Sequence, residues 1–313
     1  MSAVPFFSGA AVMEAVGPLE AYDAVRTAFV AHHRGEWAMQ SKLYVTNYPA
    51  GDFRAMPALG GGHALLKWVT SFPGNPARGL PTVTGLVLLS NADTGQLEAV
   101  LDAGAVTALR TAAAGVIAAD ALARPDAKSA AVVGCGVNGS ESARMLQARG
   151  AALVVWDVDA RRLEATSERL GVRPASTLAE ALAADIVVTV TPGREVLFPE
   201  GSLRPGQHVS LMGADGPGKA EIALRDLVRG RLFCDEWEQA SHGGELTAAV
   251  EAGLVGRDDV TDLGAVLAGD SEGRRSPEDV TLFDSTGLAI QDLAIAKAAV
   301  AKADELDLPR FAL

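Results

Sequence analysis

From Ser129 onward, short apolar runs alternate with amphipathic segments, which is the pattern of parallel strands joined by helices. Ser129–Gly134, Ala152–Asp157, Asp185–Thr189, Gln207–Met212 and Leu232–Asp235 predict strands, with another at Val280–Phe283. Between them, Ser140–Arg149, Ala160–Leu170 and Leu178–Ala183 have helical periodicity, and Gly150, Gly171 and Pro192 punctuate the exits. The texture before this is different. Pro18–Arg34 predicts a helix, whereas Lys42–Val45, Phe53–Met56, Leu65–Phe72 and Thr84–Leu89 predict strands separated by Gly and Pro. Val106–Leu122 places Val106, Leu109, Ala113 and Ile117 near one helix face and reads as the connector between the two regions, while Leu288–Leu306 predicts a long Ala-rich helix returning to the first. The expectation is an α/β protein of two domains: residues 1–115 plus 293–313 form an α+β domain, and residues 116–292 form a second domain inserted into it.

With 313 residues, 49% hydrophobic and 21% charged, the chain can bury two cores. A net charge of −12 with no basic run argues against nucleic acid as a partner. The N-terminus lacks a basic segment followed by a sustained apolar stretch, and no later run reads as a membrane span, so a cytoplasmic protein is expected. Only Cys135 and Cys234 occur, and the five His residues are scattered, so no metal site is expected.

The turn Gly134-Cys-Gly136-Val-Asn-Gly139 matches a dinucleotide-binding fingerprint. In a chain with 33 glycines, roughly 0.4 such matches arise by chance, so its setting must decide. It follows an apolar strand, opens a helix, and precedes Asp157 at the end of the next predicted strand. Glycines there permit a tight turn and close approach to a pyrophosphate, which free helix N–H groups attract. The inserted domain is therefore expected to be a Rossmann domain. Asp157 would accept hydrogen bonds from the adenosine ribose and repel a 2′-phosphate, favouring NAD over NADP, although Arg161 and Arg162 stand nearby as possible phosphate partners.

Three other residues have two readings on pattern alone. Lys67, inside the apolar run Leu65-Leu-Lys-Trp-Val69, either snorkels from an edge strand or serves a ligand. Arg110 is either a surface residue of the connector helix or a ligand-facing cation. Asp215, in Gly213-Ala-Asp-Gly-Pro-Gly-Lys219, either shapes a turn or stands where open α/β sheets bind ligands.

Taken together, several stretches resemble the ornithine cyclodeaminase/mu-crystallin family: Gly51-Asp-Phe-Arg-Ala-Met-Pro57, Lys67-Trp-Val-Thr-Ser-Phe-Pro-Gly-Asn75, Gly79-Leu-Pro-Thr-Val-Thr-Gly85, Thr107-Ala-Leu-Arg-Thr-Ala112, the glycine turn, Gly213–Lys219 and Leu282-Phe-Asp-Ser-Thr-Gly287. The resemblance implies a first domain that binds substrate and dimerises through its sheet, with the Rossmann domain inserted. It implies that Lys67 and Arg110 hold the substrate carboxylate and that Asp215 is the acid/base group, with Lys67 also counted in the catalytic set. Thr82, Arg110, Thr111, Val137, Asn138, Asp157, Thr191, Met212, Gly213, Lys219 and Ser285 would contact the dinucleotide beside Gly134, Gly136 and Gly139, while Lys42, Arg54 and Thr286 would line the substrate site. Family cyclodeaminases carry a Glu two residues before the Met-Pro pair, where this chain has Arg54. The likeness is therefore to the alanine dehydrogenase branch. It implies NAD-dependent hydride transfer at the α-carbon of a small amino or imino acid, by an L-amino-acid dehydrogenase or ketimine reductase acting as a homodimer. The alternatives are an ornithine cyclodeaminase, which returns the hydride and releases proline and ammonia, and a non-catalytic binding protein of the crystallin type.

Overall fold

A computed structural model describes residues 3–193, 195–214, 216 and 218–312. The chain forms two compact units, residues 1–110 with 288–313, and residues 111–287.

The first unit opens with β1 (Ala3–Phe7), α1 (Gly9–Ala15) and α2 (Pro18–His33). There follow β2 (Ala38–Met39), β3 (Leu43–Asn47), β4 (Gly51–Gly60), β5 (His63–Ser71), β6 (Val83–Asn91) and β7 (Leu97–Asp102). Along β5, Leu65, Lys67 and Val69 point inward while Leu66 and Trp68 are exposed, the two-residue period of a sheet with one covered face. β4, β5, β6 and β7 form a continuous antiparallel ladder, so β5 is an interior strand and Lys67 cannot be an edge-strand residue that snorkels to water. Helix α3 (Ala103–Leu122) begins three residues earlier than its periodicity suggests, because Asp102 Oδ1 accepts from Ala105 N at 2.7 Å and starts the helix there. This helix is long and apolar enough to cross a membrane by composition, but most of it is packed inside the fold.

The second unit runs β8 (Ala130–Val133), α4 (Val137–Ala148), β9 (Leu153–Trp156), α5 (Ala160–Leu170), β10 (Arg173–Pro174), α6 (Leu178–Leu182), β11 (Ile186–Thr189) and β12 (His208–Leu211). It continues with α7 (Leu224–Leu227), β13 (Arg231–Cys234), α8 (Trp237–Gly243), α9 (Thr247–Glu251), β14 (Val260–Asp262), α10 (Leu263–Ala268) and β15 (Thr281–Asp284). All its strand pairs are parallel, in the order β10-β9-β8-β11-β12-β15-β13-β14. The first five positions follow the doubly wound order of a Rossmann sheet, with the direction of winding reversing between β8 and β11, and the sixth is filled by β15, the last strand of the unit in sequence. β8, β12 and β15 are buried along their whole length; Ala130–Val133 accordingly reads as an unbroken apolar run, whereas β12 also buries His208 and Ser210, and β15 buries Thr281 and Asp284.

The chain then returns to the first unit through α11 (Ala289–Val300) and β16 (Arg310–Ala312), which pairs antiparallel with β1. Helix α11 packs against α2, β4 and β5 and covers the inner face of the first sheet. Its regular part ends at Val300, six residues short of the expected end, and hydrogen-bonded turns continue the chain.

Candidate active site

The turn after β8 divides the work among its three glycines. Gly134 has φ +105°, and a Cβ there would come 2.5 Å from Val190 O. A Cβ on Gly139 would collide with Gly134 O, so this glycine allows α4 to pack against the strand. Around Gly136, by contrast, a Cβ would meet no protein atom within 4 Å, so packing does not demand a glycine there. What the missing side chain leaves is open space beside the first turn of α4, whose N-cap Gly136 offers no side chain to the free N–H groups. That is a cradle of the right chemistry for a pyrophosphate. Val137, at the helix start, is 75% exposed, and Asn138 is half-buried.

Asp157 follows β9, and its carboxylate is fixed by two backbone donors, Cys135 N at 2.6 Å and Asp159 N at 2.7 Å. The acid is thereby tied directly to the glycine turn. Burial, and then the charge of Asp157, push the Cys135 thiol up to about 11, so it stays a protonated thiol.

Past the switch in winding, Thr191, Met212 and Gly213 follow the ends of β11 and β12. Thr191 and Gly213 bond to the buried carboxylate of Glu221, which sequence reading did not single out. Ser285 and Thr286 follow β15, and their hydroxyls donate to Asp235 at 3.1 and 3.2 Å, as does Gly287 N at 2.7 Å. Asp235 was also missed, its only sequence signal being its place at the end of a predicted strand. Lys219 is half-buried in the loop after β12. Asp215, the expected acid/base residue, lies outside the described residues.

In the first unit, Lys67 is 1% exposed, and its Nζ lies 2.8 and 2.7 Å from the two carboxylate oxygens of Asp292 on α11, with Thr107 Oγ1 at 3.3 Å. Arg110 approaches the same carboxylate, Nε to Oδ1 3.6 Å, yet this buried Nε has no hydrogen-bond partner among the described residues. The Oγ1 of the next residue, Thr111, is likewise buried and unpartnered among them. Arg54, on the inward face of β4, is held by Asp52 through Nε–Oδ1 2.6 Å and Nη2–Oδ2 3.3 Å and lies over the Tyr44 ring. Lys42 stands half-buried before β3, and Thr82 precedes β6 with its carbonyl accepting from Phe72 N.

Arg54 and Asp52 balance, whereas Lys67 and Arg110 share the single carboxylate of Asp292, leaving one positive charge over within the trio. Burial, opposed by Asp292 and reinforced by Arg110 and Arg54, brings Lys67 down from 10.5 to about 8. A buried surplus of this kind is suited to an incoming carboxylate. Asp292 offered only a weak signal, an acidic residue in the first turn of a largely apolar helix, where the helix N-terminus by itself accounts for a carboxylate.

A model of the ornithine cyclodeaminase/mu-crystallin family matches residues 6–306. The alanine dehydrogenase of Archaeoglobus fulgidus is 42% identical over 285 residues, 89% of this chain and 88% of that protein. Among solved structures, an archaeal alanine dehydrogenase dimer with bound NAD superposes with a TM-score of 0.93 at 37% identity, covering 100% of both chains. A Δ1-pyrroline-2-carboxylate reductase from Thermococcus litoralis, in complex with NADH and L-proline, superposes with a TM-score of 0.92 at 25% identity over 99% of this chain and 100% of that one.

Proposed function

The chain belongs to the ornithine cyclodeaminase/mu-crystallin family, and from that membership we propose that it is an NAD-dependent oxidoreductase acting at the α-carbon of a small amino or imino acid. As a dehydrogenase it would convert an L-amino acid, NAD+ and water to a 2-oxo acid, ammonium, NADH and a proton. Saturation of a cyclic ketimine is the same hydride transfer in reverse.

When bound, the dinucleotide supplies the hydride acceptor or donor. The glycine turn at Gly134, Gly136 and Gly139 takes the pyrophosphate, and Asp157 takes the adenosine ribose, with Val137, Asn138, Thr82, Thr111, Thr191, Met212, Gly213, Lys219 and Ser285 completing the contacts. Lys67 and Arg110 take the substrate carboxylate, Arg110 contacts the dinucleotide as well, and Lys42, Arg54 and Thr286 line the substrate site. Hydride leaves the α-carbon as the nitrogen lone pair forms the C=N bond, so an ammonium must first lose its proton; Asp215 is the acceptor we assign. A single observation carries the substrate half of this reading: the positive charge left over by Lys67, Arg110 and Asp292. Arg54, locked to Asp52, places a cation where a diamino acid would need an anion, which disfavours ornithine.

The outward face of the first sheet supports a homodimer. Ala55, Trp68 and Leu86 form one cross-strand row, and Pro57, Leu66 and Leu88 form the next. Trp68 stays 42% exposed and Leu86 44%, a contiguous apolar surface that a monomer seldom leaves in water. The free thiols Cys135 and Cys234 suit a reducing cytoplasm.

The test is a panel of L-amino acids, 2-oxo acids with ammonium, and cyclic ketimines, followed at the NADH absorbance band with product analysis. NADH accumulating alongside a 2-oxo acid, or consumed with a ketimine, supports the reading. Proline and ammonia from ornithine without net NADH would replace it with the cyclodeaminase reaction.

A further inference from the structure

Glu221 lies between β12 and α7 and is fully buried. Its Oε2 accepts from Thr189 Oγ1 at 2.6 Å and from Gly213 N at 2.9 Å, and its Oε1 accepts from Thr191 N at 3.1 Å and Thr191 Oγ1 at 2.5 Å. Thr189 is the last residue of β11, and Thr191 and Gly213 each lie two residues beyond the ends of β11 and β12. One side chain therefore ties two neighbouring parallel strands at their C-terminal ends, using neutral donors only. The fit is close: a Cβ on Gly213 would stand 2.5 Å from the Glu221 carboxyl carbon and 2.6 Å from Thr191 O. Glu221 is itself anchored, since its N–H donates to Glu245 Oε1 at 2.6 Å.

These two strand ends occupy a defined place relative to the dinucleotide reading above, on which this inference rests. In a doubly wound sheet each mononucleotide half lies over one set of strands, on either side of the reversal in winding. The glycine turn after β8 and Asp157 after β9 take the adenosine half. The nicotinamide half then runs over β11 and β12. We propose that Glu221 is a positioning residue for the nicotinamide ring, holding the ends of β11 and β12 at the separation the ring requires.

The chemistry explains why a carboxylate stands there. An ionised Glu accepts only and can satisfy two backbone N–H groups and two hydroxyls together. Burial raises its pKa, and the bonds from Thr189, Thr191 and Gly213 oppose that rise. Gln has the same shape, but its NH2 must face one of the two donor pairs. A hydroxyl can rotate to accept; a backbone N–H cannot. Glu221→Gln thus leaves Thr191 N or Gly213 N buried without an acceptor, loosening one strand end while keeping the packing.

Two ligands separate positioning from general support: NADH, followed by fluorescence, and ADP-ribose, which lacks the nicotinamide, followed by calorimetry. In Glu221→Gln, NADH should bind about tenfold more weakly, the equivalent of one lost hydrogen bond. ADP-ribose should stay within about twofold of wild type, because it lacks the ring whose seat is loosened and keeps its adenosine and pyrophosphate contacts on the other strands. Turnover should fall with little change in the KM for the amino-acid substrate. Equal weakening of both ligands, or unchanged NADH affinity, overturns the proposal. Thr189→Val removes one of the four bonds without touching a backbone donor and should show the same selectivity at about threefold; should Glu221→Gln not fold, this variant decides by the same criterion. Wild-type protein that fails to bind NADH would instead refute the cofactor reading, a result distinct from either outcome above.

Discussion

Each unit buries a carboxylate, and each compensates it differently. Asp292 in the first unit is faced by the cations Lys67 and Arg110, while Glu221 in the second is faced by two threonine hydroxyls and two backbone N–H groups. Cations carry a field beyond the bond they make, so the first arrangement ends with positive charge to spare, while burial, reinforced by Arg110 and Arg54 and opposed by Asp292, brings Lys67 down to about 8. Neutral donors satisfy their acceptor and stop there; what they fix is geometry. The contrast is one of outcome: the first cluster keeps a surplus cation, which the proposed substrate carboxylate would answer, and the second ties two strand ends together.

Removing the carboxylate from the charged cluster should have the largest effect. Asp292→Asn leaves Lys67 and Arg110 buried without their counter-charge and should cost about 3–5 kcal/mol in denaturant unfolding. The double variant Asp292→Leu with Lys67→Met should recover much of that loss, since a buried pair exchanged for apolar groups of similar volume is often neutral. If the double variant is as unstable as the single one, charge is not what couples these residues.

Lys67→Met alone should raise the KM of the carboxylate substrate by about tenfold to a hundredfold, a charged hydrogen bond contributing roughly 1.5–3 kcal/mol. NADH affinity should be untouched. A normal KM removes Lys67 from the substrate site.

The same residue predicts a pH signature with two opposite signs. Lys67 holds an anion only when protonated, so kcat/KM should fall as pH rises through about 8. Its contribution to stability runs the other way: between about 8 and the ordinary value of 10.5 the unfolded chain binds more protons at this site than the folded one, so the stability contribution rises with pH over that window. Parallel loss of both over that window would mean that another group titrates.

The smallest effect concerns the dinucleotide. Val158, beside Asp157, is 89% exposed, so Asp157→Ser with Val158→Arg exchanges a repelling carboxylate for a phosphate partner without disturbing a core. The ratio of NAD to NADP kcat/KM should move toward NADP; an unmoved ratio misplaces the ribose site.

These contrasts also mark where the sequence was legible. The second unit's strands were readable because parallel strands covered on both faces leave continuous apolar runs, as at Ala130–Val133, and because glycine spacing reports a backbone requirement locally. Strand β7 was not anticipated: Leu97–Asp102 is short, carries Glu98 and runs into a helix at once. Strands β1 and β16 were missed because they pair with each other across the length of the chain, and β1 with the distant β7, contacts no local pattern encodes. Site residues divide similarly. Lys67 stood out as a cation in an apolar strand, but its partner Asp292 is 225 residues away. Glu221 and Asp235 look like ordinary acidic residues until folding aims donors at them, since being an acceptor for distant groups leaves no trace in spacing.

A hydride passing between the α-carbon of a small amino acid and NAD, as proposed above, can be followed with an isotope. Incubation with NAD and the L-amino acid that the panel identifies as substrate, deuterated at the α-carbon, followed by mass analysis of the dinucleotide, reads that transfer atom by atom. NADH carrying one deuterium is expected, formed in step with the 2-oxo acid and ammonium. Deuterium retained in the amino acid, or lost to water with none in the NADH, would contradict it.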